Sequence, residues 1–191
     1  MRQIDWDNVQ EATGNFDRPP VGGYVLTIVA AKEDEAKEYY KLSYDYAEGE
    51  WEGYRMALFQ AHGWALPNYY RSYKNSAQMF FKQFMQVLQE SNPRFDWHAW
   101  VKTGGKDAAL NGLKFGAVIG EEEYVARDGS TKVRQAIQAV LPVADIKAGN
   151  FEVPALKKLK GSGSQQPSAP APIPESKPVP SPTYDETQCP F

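Results

Sequence analysis

Cysteine and histidine are almost missing from this chain. Cys189 is the one cysteine, and His62 and His98 are the two histidines, in 191 residues. No disulfide framework can form within the chain, which suits a reducing compartment. No pair of candidate ligands stands at metal-binding spacing, so no metal is expected. No Ser-His-Asp or Cys-His set assembles for nucleophilic catalysis. Gly104-Gly105-Lys106 lacks the upstream glycine and the Ser/Thr of a phosphate loop. The run Glu121-Glu122-Glu123 reads as a solvated strand edge rather than an acid catalyst. Neither an enzyme nor a cofactor is therefore expected. No stretch is apolar and long enough to span a membrane, and Met1-Arg2-Gln3-Ile4-Asp5 does not read as a signal peptide. The expectation is a soluble, cytoplasmic protein.

A second absence is local. The chain carries a formal net charge of −3, yet residues 53–89 hold no Asp or Glu. That window keeps Arg55, Arg71, Lys74 and Lys82 among nine aromatic residues, including Phe59, Trp64, Tyr69, Tyr70 and Tyr73. A net negative chain is no histone-like polycation, but phosphates meet local fields rather than totals. Single-stranded nucleic acid is held by cations that follow its phosphates and rings that stack its bases.

Periodicity supplies the elements. Residues 1–20 form an irregular lead-in that Trp6 and Phe16 pin to the body. Residues 24–31 read as a strand, 32–37 as a charged connection, and 39–47 as an alternating second strand. Residues 54–60 read as a third strand and 62–74 as an aromatic loop. Asn75 and Gln78 suggest a capping box, and Ala77, Phe80, Phe81, Phe84 and Leu88 recur at helical spacing up to Asn92-Pro93. After an irregular stretch over 94–112 come a fourth strand at 115–124, a turn at 127–130 and a fifth strand at 131–141. A short piece at 145–150 and an extended end at 151–153 follow. Three strands, one helix and two strands predict a mainly β fold. The order is that of a five-stranded OB-fold Greek-key barrel, with its helix between the third and fourth strands. A generic α+β domain would fit the same order.

Strand parity then sorts the candidates. With Tyr40, Leu42, Tyr44, Met56 and Leu58 inside, Tyr39, Lys41, Arg55 and Phe59 share the outer face. Lys132 and Arg134 share a parity on the fifth strand. The loop adds Trp64, Tyr69, Tyr70, Arg71, Tyr73 and Lys74. These twelve residues are the expected nucleic-acid contacts. Phe80, Phe81 and Phe84 are read as core. Trp51 and Trp64 either contact ligand or close one end of the barrel, and Tyr70 and Tyr73 either stack bases or staple the helix start.

The chain divides into a body over 1–160, a linker over 161–182 and a tip over 183–191. The linker is rich in Pro, Ser and Gly, too poor in apolar side chains to fold, and is expected to be a disordered tether. The tip ends Tyr184-Asp185-Glu186-Thr187-Gln188-Cys189-Pro190-Phe191. It resembles the C-terminal end of bacterial-type single-stranded DNA-binding proteins, although its acidic run is short. That resemblance implies recruitment of replication and recombination proteins through Asp185, Glu186, Pro190 and Phe191. The body resembles a family of small proteins from phages and prophages of Gram-positive bacteria. Ile4-Asp5-Trp6, Tyr44-Asp45-Tyr46-Ala47-Glu48-Gly49-Glu50, Arg71-Ser72-Tyr73-Lys74 and Gly120-Glu121-Glu122-Glu123-Tyr124 carry the likeness. It implies a role in phage replication or recombination, in the host bacterial cytoplasm. Single-stranded DNA is thus the expected ligand and replication proteins the expected partners; homo-oligomers are compatible with the sequence. The second reading is a protein-interaction or recombination-mediator module that binds DNA weakly or not at all.

Overall fold

The computed structural model describes residues 18–159. The expectations for Trp6, Phe16, the linker, and Asp185, Glu186, Pro190 and Phe191 in the tip lie outside those residues. Within them, five strands form one antiparallel sheet in the order β3-β2-β1-β4-β5. The strands are β1 (Gly22–Asp34), β2 (Tyr39–Tyr46), β3 (Asn68–Ser72), β4 (Lys114–Val125) and β5 (Thr131–Leu141). Four α-helices accompany them: α1 (Tyr54–His62), α2 (Gln78–Ser91), α3 (Trp97–Lys102) and α4 (Val143–Ala148).

The inner face of the sheet follows from side-chain alternation. Leu26 and Ile28 of β1 oppose Tyr46 and Tyr44 of β2, and all four are buried. An extra residue on β1, Val29, interrupts the register between Ile28 and Ala30. Such a bulge bends the strand and shifts its parity by one. Beyond it, Ala31 and Glu33 face inward opposite Leu42 and Tyr40, and Lys32 faces outward opposite Lys41. The sheet also curls. Tyr69 of β3 stacks on Phe115 of β4 with ring centroids 6.3 Å apart. Three strand spacings separate β3 from β4, roughly 14 Å in a flat sheet. The inner face therefore wraps into a barrel-like core. Helix α2 lies against it, touching β3, β4 and β5. Its buried side is Phe84, Met85, Val87 and Leu88, each contributing about 1.5–3 kcal/mol by burial. Asn92 ends this helix and fixes its position: its side chain donates to the carbonyls of Leu88 and Lys114, both at 2.7 Å, and accepts from the Lys114 N–H at 2.9 Å.

Several sequence expectations are corrected. The expected third strand at 54–60 is helix α1, and the true third strand lies at Asn68–Ser72, inside the expected loop. Residues 54–62 hold no β-branched side chain, and Arg, Met, Ala, Leu and Gln favour helix. The carboxylate of Asp45 on β2 supplies the missing cap. It accepts from the N–H groups of Tyr46 (2.7 Å), Arg55 (2.9 Å) and Met56 (2.9 Å), while Gly63 closes the other end with φ 70°. Arg55 and Phe59 are thus helix residues and do not share a strand face with Tyr39 and Lys41. The expected capping box is absent: Asn75 accepts from the Gln78 side chain at 3.1 Å, and Ala77 begins α2 without a side-chain cap. Phe80, read as core, is 52% exposed. Helix α4 meets the short turn or helical piece expected at 145–150, while α3, capped by Asp96, lies within the stretch read as irregular.

Candidate nucleic-acid interface

The outer face of β1, β2 and β3 carries a row of cations and rings. Register places Lys32 opposite Lys41, and Lys41 opposite Tyr70. Directly opposed residues on one sheet face have Cβ atoms about 4.5–5.5 Å apart, and like charges there destabilise one another. Lys32 and Lys41 are exposed, and neither makes an ion pair among the described residues. Tyr70, 53% exposed, meets Tyr39 edge-on at 5.3 Å between centroids. Lys37 sits 5.9 Å above the Tyr39 ring, with its charge tied to Asp34 at 3.2 Å. A depression of about 460 Å³ beside the row is lined by Lys32, Lys41 and Tyr39, and also by Glu33, Asp34 and Glu35. Two ammonium groups that make no ion pair among the described residues, next to an exposed phenol ring, can hold phosphates and stack a base.

The other expected contacts fall elsewhere. Tyr69 and Arg71 point to the inner face, opposite Leu42 and Tyr40. The Arg71 guanidinium lies 4.4 Å from the Tyr69 ring centroid and 5.6 Å from that of Phe84. Burial lowers its pKa to about 10, and its Nε has no hydrogen-bond partner among the described residues. Arg55 packs against the rings of Tyr54 (5.3 Å) and Tyr46 (6.0 Å), at the far end of β2 from Lys41. Phe59 and Trp64 are exposed, on α1 and just after it, and the Trp64 ring lies 4.9 Å from His62. Lys74 is exposed just beyond β3. Tyr73 leans on Tyr40 and Phe81, each at 6.0 Å, and hydrogen bonding to Glu33 pushes its pKa up to about 12. On β5, Lys132 pairs with Asp128 at 3.3 Å. Arg134 pairs with Glu122 at 2.7 Å and lies 5.1 Å from the Tyr124 ring.

The structure thus brings Tyr39, Lys41 and Tyr70 together and adds Lys32. Residue parity along β1 places Lys32 with Leu26 and Ile28, on the inside. Only the bulge at Val29 turns it out, and no local signal in Thr27-Ile28-Val29-Ala30 marks that bulge. Among the described residues, no three His, Cys, Asp or Glu side chains gather as metal ligands would. No described helix is long and apolar enough to cross a membrane. Compared with known proteins, the chain matches no family model and no curated protein.

Proposed function

We propose that this chain is a non-enzymatic, sequence-tolerant single-stranded DNA-binding protein of phage replication or recombination. The body is an OB-fold, and the tip recruits replication proteins. The observation that carries the reading is the outer row of Lys32, Lys41, Tyr39 and Tyr70. Two opposed lysines without an acid between them are stabilised by an anion, and a strand of nucleic acid supplies phosphates with bases alongside. The strand order supports the OB-fold: β3-β2-β1-β4-β5, with α2 between β3 and β4, is the order that such a Greek-key barrel has when left open between β3 and β5. OB-folds bind oligonucleotides across their second and third strands, where most of the row lies. The phage setting and the recruiting tip rest on the sequence resemblances alone.

Titration of the purified chain with fluorescent single-stranded and duplex DNA at two salt concentrations tests the proposal. Single strands bind more tightly, and affinity falls as salt rises because phosphate contacts release counterions. Equal affinity for both forms, or no salt dependence, overturns it. The second reading, a protein-interaction module, draws on the acidic end of the β1–β2 hairpin. There Glu33, Glu35 and Glu38 all act on Tyr73.

A further inference from the structure

Below the inner end of β1 and β2, four rings wall an open pocket of about 240 Å³. Tyr40 of β2 lies 5.6 Å from Trp100 of α3, 5.8 Å from Phe81 of α2 and 6.0 Å from Tyr73, between centroids. Trp100 is fixed by its indole N–H, which donates to the Lys106 carbonyl at 3.0 Å. Tyr40 donates to the Gly105 carbonyl at 3.2 Å. Gly104 and Gly105, at φ 85° and 62°, turn the chain here and leave that wall without a side chain. Val101, 52% exposed, stands at the rim.

Glu33 is the charged residue among those that line this pocket. Glu33, Glu35 and Glu38 act on the Tyr73 hydroxyl, and Glu33 and Asp107 on that of Tyr40. None of these four carboxylates makes an ion pair among the described residues. A carboxylate lining the pocket attracts a cation, and aromatic faces attract cations through their quadrupoles.

We propose that this pocket, walled by Tyr40, Tyr73, Phe81 and Trp100 with Glu33 at its rim, receives a lysine or arginine side chain of a protein partner. The alkyl stem lies along the rings and the charged head meets Glu33. The rings of the pocket face the inner side of the sheet and the outer row faces the other, while Glu33 lines both the pocket and the depression beside the row. The proposal does not depend on the DNA-binding reading.

The test measures binding of the full chain to a fluorescein-labelled glycine-rich peptide bearing two arginines. Versions with lysine and with norleucine serve as controls. The arginine and lysine peptides bind, more weakly at higher salt, and the norleucine peptide does not. Glu33→Gln lowers the affinity about tenfold or more, since it removes the charge and keeps the shape. Val101→Lys, a change at an exposed position, occupies the rim with a competing cation and blocks the peptide too. A Lys32→Gln, Lys41→Gln double variant binds the peptide normally, although its DNA binding falls. The proposal is overturned if the norleucine peptide binds as well as the arginine peptide or if the basic peptides do not bind. Normal binding in both pocket variants, or oligonucleotide binding that depends on Glu33, also overturns it; the latter makes the pocket a base site.

Discussion

Two lysines facing each other across β1 and β2 cost stability that a bound anion returns. Lys32 and Lys41 are exposed and oppose one another directly. Replacing both with glutamine is expected to weaken single-strand binding and to lower the slope of log affinity against log salt by about 1.4, roughly 0.7 per phosphate contact. Tyr70→Ala acts differently: loss of a stacked base costs about 1–3 kcal/mol of affinity with the slope unchanged. Arg71, one strand residue away, reads the other way. Its guanidinium is packed between Tyr69 and Phe84. Arg71→Ala is expected to lower the melting temperature and leave the salt slope intact. A salt titration of the variants, paired with thermal melts, separates these outcomes. A flattened slope in the Arg71 variant would show that this arginine meets phosphate after all.

Helix α1 depends on a residue outside itself. Gly53 precedes it without a side chain to cap with, and the carboxylate comes from Asp45, 4% exposed on β2. Asp45 satisfies three N–H groups, those of Tyr46, Arg55 and Met56. Asp45→Ala leaves those donors without their charged acceptor. The expected cost is about 2–4 kcal/mol, since charge-assisted bonds are the strong ones and orphaned donors are expensive. For a body of this size that is roughly 5–15 °C in melting temperature. Helical signal lost with the sheet intact, seen by circular dichroism, locates the damage in α1. An unchanged melt shows that the helix holds itself.

Across the whole body, tyrosines whose pKa the fold raises make stability fall above about pH 10. Tyr46 is pushed up to about 12 by burial, Tyr73 to about 12 by hydrogen bonding to Glu33, and burial raises Tyr40 as well. In the unfolded chain these groups lose their protons near 10. Between 10 and about 12 the folded state therefore binds more protons, and rising pH favours unfolding. Arg71 works against this: burial holds its folded value at about 10, below that of an ordinary guanidinium, so its burial costs less as pH climbs. The raised tyrosines, which include Tyr24 and Tyr44, outnumber this one arginine. Melting temperature is expected to fall steadily from pH 10 to 12, followed by thermal melts at each pH. A melt that rises over that range reverses the assignment. At the same scale, removing residues 184–191 is expected to leave the fold and DNA affinity intact, or affinity slightly raised. Capture of replication proteins from infected-host lysate is expected to be lost. Equal capture by both forms would make the tip dispensable.

Elements whose signals are local could be read before any tertiary contact was known. Alternation marked β2, and β4 and β5 with their turn. Helical spacing of Phe81, Phe84 and Leu88 marked α2, and the absence of acids drew attention to residues around β3. Tyr39 and Lys41 were legible as candidates through their strand parity, and Tyr70 through its place in the acid-free aromatic window, read there as a loop. What tertiary structure decided was everything set by a partner distant in sequence. Residues 54–60 alternate well enough for a strand, and the carboxylate of Asp45, brought beside them by β2, makes them a helix. Lys32 faces outward only because Val29 bulges against β2, and Arg71 and Tyr69 turn inward only because β3 pairs with Leu42 and Tyr40. A pattern of period two records which residues share a face. Which face meets the core is decided by the neighbouring strand, and one unpaired residue reverses it.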